Sequence, residues 1–556
     1  MALGAGLVIL GMAAVDRLLA SFDRRLTERS LGQRVLGIPP EETSEPIDVI
    51  RHSALRLGLL VPLFVLILFT YLGQVTVWRW QSWPGSSYRY HGLAEAFARG
   101  EVALLTQPSP ALAELDNPYD PEARGGIEVL GDLSYFDGRY YMYWGPTPAA
   151  LSSLWLLIGG TPISDDLIVL LSVSAVFCFS ALAVLHLQRE YFPGMPLWLV
   201  LGGLVLVATA HPALWTLNSP SLYTAAISSG QAFFIGGLYF MLTALNAPQP
   251  TTWRYLACGT FWALAIGCRL TLLVAVLPLV LMAITMRMRA QFGSGKVKKE
   301  LRPMAGLLMP LAIGCVILGV YNFARFGDLL ETGFRYQMMP YDQVEAMRRG
   351  LVFNPRYLIP NLLHYLAAPI RLIPEFPFLR PWWGAYPPFS AFLSRFSVPL
   401  EYSVQNAVGL TFVTPALLLG GLLLMDAFSC PSSRGQNALD ARGRSADSMT
   451  LRELALALSV SGLALAGPVL LYRVSATRFL MEVTPAFAVL SALGAFTLHK
   501  ASRLLPGRRI AVTLLIASLI ALSAAIGFVL ALNGDFSRFD DANPALYSLL
   551  VNLFSR

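Results

Sequence analysis

The sequence predicts an all-α integral membrane protein with about eleven transmembrane helices (11–13) and two large extracytoplasmic loops. Three observations carry that expectation. The 556 residues are 55% hydrophobic and only 13% charged. The apolar residues gather into separate runs of roughly 16 to 25, the length that crosses a bilayer. Lys and Arg concentrate in a few short connections between those runs, which accounts for the net charge of +7. No basic segment is interleaved with aromatics on a surface stretch, so no nucleic-acid partner is expected. Cys178, Cys258, Cys268 and Cys315 lie inside apolar runs and Cys430 just beyond one, which leaves neither a disulfide framework nor a zinc spacing.

Residues 1–54 read as a cytoplasmic or interfacial N-terminal segment. Its apolar stretch Ala2–Val15 is closed by Asp16 and Arg17 and is short for a span, so residues 1–20 are an interfacial helix or an incomplete extra span. A transmembrane core over 55–323 follows, with spans at 55–77, 166–187, 196–217, 222–245 and 303–323. Within it, Trp253–Met286 would reach about 51 Å as one helix against a hydrocarbon core of about 30 Å. It therefore folds back as two short spans. The break falls at Gly267, Cys268 and Arg269, where the charge would otherwise sit at mid-bilayer at a cost of roughly 3 kcal/mol. The C-terminal part, 404–532, adds spans at 404–428, 452–471, 477–498 and 510–532, with a polar cytoplasmic loop at 429–450 and an extracytoplasmic tail at 533–556.

The connections 286–303, 429–452 and 499–510 carry six, four and four Lys or Arg residues, which assigns them to the cytoplasmic side. The loops 78–165 and 324–403, Arg269 and the turn from Arg473 to Arg478 then face the opposite compartment. No internal repeat of 20 to 50 residues is visible.

The first loop opens on an aromatic belt, WRWQSWPGSSYRYH, followed by a short amphipathic helix containing Glu95. DNPYDP, Asp116 to Pro121, is rich in turn formers. In DLSYFDGRYYMYWGPTP, alternating aromatics flank Asp137 and Gly138, a pair that favours a tight hairpin, so Asp137 reads first as a turn residue. Asp132 has no such turn to make and is the leading candidate for a catalytic carboxylate, with Glu95 and Asp137 behind it. Trp144–Gly160 is apolar but short, which suits a helix lying at the outer interface.

Arg269 stands out because an ionisable group in an apolar run marks a functional site by default, and its planar fork can grip a phosphate at the mouth of a helix break. Arg473 and Arg478 sit likewise at an outer helix start, and Glu482, four residues after Arg478, has the spacing of an intrahelical partner. The second loop begins YNFARFGDLLETGFRYQ and continues through RPWWGAYPPF, Arg380 to Phe389; aromatics beside arginine suit sugar rings and phosphates, and equally a loop resting on the membrane interface. Tyr336 and Arg325 from this loop are carried as substrate-binding candidates. His91, His211 and His364 have no partner at metal-ligand spacing. Asp116, Asp120 and Asp132 are the carboxylates that could take a divalent metal. No phosphate-binding loop, nucleophile elbow, dinucleotide fingerprint or HExxH is present.

In this layout, and in the segments DLSYFDGRYYMYWGPTPA, SPSLYTAAISSGQAFFIGGLYF, YNFARFG and TRFLMEVTP, the chain resembles the GT-C superfamily of polytopic membrane glycosyltransferases, which includes protein mannosyltransferases and lipid A aminoarabinose transferases. The resemblance implies a polyprenyl-phosphate sugar donor, an acceptor that is an envelope glycan, lipid or protein, and a site facing outward from a bacterial inner membrane. It adds Tyr223, in the second of those segments, to the substrate-binding candidates. It also implies an essential acidic residue soon after the first span, but SWPGSSYRYH has no carboxylate before Glu95, so Asp132 is the first choice of base and Glu95 the second. The expected reaction is an inverting transfer with Arg269 and Arg478 on the departing phosphate. A transporter or flippase of a lipid-linked or anionic substrate is the alternative, since mid-membrane charges also mark transport paths; a non-catalytic envelope scaffold is a third.

Overall fold

The computed structural model describes residues 46–80, 83, 87–247, 251–292, 297–429, 449–503, 506–534 and 538–554. The expected interfacial segment 1–20 and almost all of the loop 429–450 lie outside these residues. Eight described helices are long and apolar enough to cross a membrane: Gly58–Val75, Asp165–Tyr191, Leu222–Leu245, Leu272–Arg289, Leu301–Phe326, Leu451–Leu471, Thr477–Ser502 and Arg509–Ala531. The chain is an all-α polytopic membrane protein, as its composition predicts. The first of these helices begins at Pro46; the chain through Leu72 and the chain from Gly73 form separate units, and everything below concerns the second.

The predicted fold-back of 253–286 is present. Thr252–Cys268 and Leu272–Phe292 are two helices, and Arg269 between them adopts an extended backbone with φ −146° and ψ 117°. Two expected spans differ in detail. The span at 196–217 is a helix over Leu197–Thr209 and a short one over Ala213–Asn218, interrupted before Pro212, which has no N–H to continue the ladder. The span at 404–428 does not begin as a helix. Ser403–Gln405 is a strand paired in parallel with Val474–Ala476, and helical turns at Leu410–Val413 and Pro415–Leu417 precede the helix Leu418–Ser429.

Glycines let the helices meet closely. A Cβ on Gly237 would strike the Trp262 indole, whose Nε1 donates to the Phe234 carbonyl at 3.1 Å, and a Cβ on Gly259 would strike the Leu307 carbonyl. Thr252–Cys268 is thereby wedged between Leu222–Leu245 and Leu301–Phe326. Ser221 caps the second of these three helices through a reciprocal pair with Thr224, fixing where it starts.

The first loop forms the expected hairpin, Ser134–Phe136 against Arg139–Tyr141, with Asp137 and Gly138 at φ 47° and 70°. Both central residues of its turn are left-handed, the geometry that matches strand twist. Two short helices flank it, Arg89–Ala98 and Thr147–Leu157. The latter exposes Leu151, Leu154, Trp155 and Leu157, the apolar face expected of a helix at a membrane interface.

Basic residues at the described helix ends tie neighbouring helices together. Arg289 bonds Glu453 at 2.7 Å, joining the end of Leu272–Phe292 to the start of Leu451–Leu471, and Arg503, after Thr477–Ser502, donates to the Gly194 carbonyl at 3.3 Å. Leu272–Phe292 and Thr477–Ser502 thus have their basic termini on one side and Arg269, Thr271, Arg478 and Glu482 at their other ends, about 30 Å away at 1.5 Å per residue.

Candidate functional site

The break after Cys268 creates the first wall. Arg269 turns its guanidinium onto Glu482, donating from Nη2 to Oε1, and Thr271 donates to the other carboxylate oxygen at 3.2 Å. Glu482 is 2% exposed and Arg269 11%, so the pair is withdrawn from water. A buried ion pair needs its remaining lone pairs satisfied to persist, and Thr271 does this for Glu482. On the opposite face Arg269 lies 4.6 Å from the centroid of the Trp144 ring. Trp144 is brought there by WGPTP: Gly145 packs so tightly on the carbonyls of Gly267 and Cys268 that a Cβ would overlap both. Gly145→Ala is expected to cost about 1–3 kcal/mol through overpacking against backbone that cannot yield. Thermal unfolding checks this, and an unchanged Tm would show that the loop does not dock on the helix break.

The second wall is built around Asp132. Its N–H donates to the Met338 carbonyl at 3.1 Å, Met338 returns a bond to Leu133 at 2.8 Å, and Gln337 Nε2 donates to the Asp132 carboxylate at 3.2 Å. The two large loops are therefore laced together at this residue, and the lacing holds it at φ +62°, a strained conformation for a non-glycine residue. The Tyr223 phenol lies near the same carboxylate. The Tyr223 ring stands edge-on to Trp144, at 5.6 Å, and carries the Arg478 guanidinium 4.9 Å from its centroid.

Arg478 donates to Gln405 Oε1 at 3.0 Å, and Arg473 donates to the Glu401 carbonyl from two nitrogens, at 3.2 and 2.9 Å, while stacking on Tyr341 at 3.9 Å. Tyr143, Tyr341 and Tyr472 complete the enclosure, and burial pushes each phenol upward, with the nearby Asp132 charge adding to the effect. They stay neutral donors. Tyr143 thus lies near both Asp132 and Arg269, and Tyr472 near Asp132, Arg473 and Arg478. Arg269 Nε, Arg478 Nε, Arg473 Nη1 and the Trp144 indole N–H are all buried without an acceptor.

No family model matches this sequence, and no curated protein matches it. Among solved structures the chain is similar to ArnT from Cupriavidus metallidurans bound to undecaprenyl phosphate, with 12% identity over 87% of this chain and 78% of that one and a TM-score of 0.39. It is also similar to the Archaeoglobus fulgidus oligosaccharyltransferase in its apo form, with 14% identity over 89% of this chain and 59% of that one and a TM-score of 0.43.

Of the residues singled out by sequence, Asp132, Arg269, Arg478, Arg473 and Tyr223 come together here. The others lie elsewhere. Glu95 is half-exposed, 3.4 Å from His91 on its own helix, and Asp137 is exposed at the hairpin tip. Arg325 donates to the Met142 carbonyl at 2.7 Å and to Asn322 at 2.6 Å, bracing the strand just before Tyr143. Tyr336 packs on Phe136 at 4.8 Å in an aromatic cluster with Phe326 and Tyr141. Glu482 pairs with Arg269 and not with Arg478, because Thr477–Phe479 is a 3-10 turn and the four-residue spacing of an α-helix does not apply across it. Asp120 accepts from the Glu122 N–H at 2.9 Å as a helix cap, and among the described residues no three acidic, His or Cys side chains are grouped to hold a metal ion. Sequence reasoning missed Trp144, Gln337, Tyr341 and Tyr472, whose only signal is position beside a charged candidate.

Proposed function

We propose that the protein is a membrane glycosyltransferase that moves a sugar from a polyprenyl-phosphate donor to an acceptor hydroxyl with inversion, at a site on the face of the membrane opposite its basic connections. The observation that carries this reading is the gathering of Asp132 with Arg269, Arg473 and Arg478, each carrying a buried N–H, around the phenols of Tyr143 and Tyr472. A phosphate bound among Arg269, Arg478 and the Trp144 indole N–H would satisfy those donors, and a lipid carrier can reach the bundle end laterally from the bilayer. Asp132 then accepts the proton of the acceptor hydroxyl as its oxygen attacks the anomeric carbon. The bond from that carbon to the phosphate oxygen breaks, and the polyprenyl phosphate leaves with the electron pair, stabilised by the guanidiniums. Tyr223 and Gln337 hold the Asp132 carboxylate, and the neutral phenols around it exclude water without competing for the proton.

Purified protein in vesicles, given a radiolabelled polyprenyl-phosphate sugar, tests the reading. Label transferred to an acceptor supports it, whereas label carried across the bilayer intact identifies a transporter. Tyr223→Phe removes one hydroxyl from the carboxylate and is expected to lower kcat by roughly tenfold or more, given about 1.5–3 kcal/mol for a hydrogen bond to a charged group. An unchanged kcat in that variant removes Tyr223 from the mechanism.

A further inference from the structure

Beyond the span Arg509–Ala531 the chain forms a helical turn at Arg538–Ala542 and then the helix Pro544–Phe554, whose sequence PALYSLLVNLF carries no charge. One face of this helix is anchored. Leu546, Tyr547, Leu550 and Val551 pack on a core of Val77, Phe376, Leu532 and Phe539, together with Phe528 from the last turn of the span. Hydrogen bonds fix the same face: Asn543 Nδ2 donates to the Val77 carbonyl at 2.8 Å, and the Tyr547 hydroxyl to the Phe376 carbonyl at 3.2 Å. The helix is thereby held at the end of a membrane span, away from Arg508 and Arg509 at the other end.

The rest of its surface divides in two. At about 100° per residue, Leu549 and Leu553 form a stripe beside the packed Leu546 and Leu550. They are 61% and 63% exposed. Ser548 and Asn552 form the next stripe and are exposed as well. The helix thus turns one side to protein, leucines to a second surrounding, and a hydroxyl and an amide to a third. At the end of a span those surroundings are hydrocarbon and the headgroup layer, and their order around the helix is that of an element lying at the bilayer surface.

We infer that Pro544–Phe554 binds the surface of the phospholipid leaflet at this end of the span, with Leu549 and Leu553 entering the acyl-chain boundary and Ser548 and Asn552 facing the headgroups. Recognition is of hydrocarbon beneath a polar layer and not of headgroup charge, because the helix has no charged side chain. The contact has a consequence for the second large loop. Tyr547 bonds Phe376, and Asn533 Nδ2 donates to the Leu379 carbonyl at 2.7 Å, so the segment that rests on the lipid also holds that loop. The inference does not depend on the transferase reading.

Photocrosslinking of the full-length protein in vesicles of phosphatidylglycerol and phosphatidylethanolamine tests this. A benzophenone-bearing phenylalanine is placed singly at Leu549, Leu553, Ser548 and Leu522. All four positions are exposed, so the packed face is left intact; Leu522, within Arg509–Ala531, serves as the lipid-contact reference. After irradiation, intact-protein mass spectrometry should show phospholipid adducts at Leu549 and Leu553 in yields approaching that at Leu522, with severalfold less at Ser548. Adducts at Leu522 but at neither Leu549 nor Leu553 overturn the proposal, as do equal yields at Ser548 and the two leucines. A crosslink between two copies of the chain at 549 or 553 overturns it as well, since the stripe would then be a subunit contact.

Discussion

Asp132→Asn is expected to depress sugar transfer by about a hundredfold or more, since a positioned general base typically supplies 10² to 10⁴ in rate. The substitution is close to isosteric. Asn also tolerates left-handed backbone, so the φ of +62° and the bonds to Met338 can persist. What is lost is the proton acceptor. The fall should therefore appear in kcat, with donor KM little changed and Tm within a few degrees of the unmodified protein. Steady-state kinetics with a lipid-linked sugar checks it. Near-normal turnover would remove Asp132 as the base and return attention to Glu95, which lies on the helix Arg89–Ala98 beside His91.

Arg269→Ala should have two consequences that can be separated. It strands Glu482, 2% exposed, without its cation, and breaking a buried pair in this way costs about 3–5 kcal/mol. It also removes a guanidinium from the phosphate position, so donor KM should rise more than acceptor KM. The double variant Arg269→Met with Glu482→Met removes both charges at similar volume and should recover most of the lost stability, because an apolar pair often replaces a buried ion pair without penalty. Donor use should stay impaired in that variant. Thermal unfolding and donor titration together decide the matter: recovery of both would make Arg269 a structural residue, and recovery of stability alone assigns it to the donor.

The helical architecture was legible because bilayer spans are a composition signal, and Arg269 marked its own helix break because a charge cannot sit cheaply in an apolar run. The hairpin was legible from Asp137 and Gly138 between alternating aromatics. The first turns of the 404–428 segment were not, since apolarity reports burial in lipid and in protein alike. The pairing of Ser403–Gln405 with Val474–Ala476 depends on residues some seventy positions apart. The same distance problem hid the partner of Glu482, which was sought on its own helix and lies 213 residues away. Asp132, Arg269 and Arg478 could each be singled out by type and setting, but their convergence is a product of loop lacing at Gln337 and Met338 that no local pattern encodes. Arg325 and Tyr336 were chosen on composition, and packing gives them other partners.

The reading of the cluster as a lipid-phosphate site is tested most directly by equilibrium binding of a polyprenyl phosphate to the purified protein and its variants. Arg269→Ala and Arg478→Ala should each weaken binding tenfold or more, as loss of a charged hydrogen bond requires. Asp132→Asn, which removes a nearby negative charge, should leave binding unchanged or tighten it. Equal affinity in all three variants, or weakening by Asp132→Asn alone, would contradict the account.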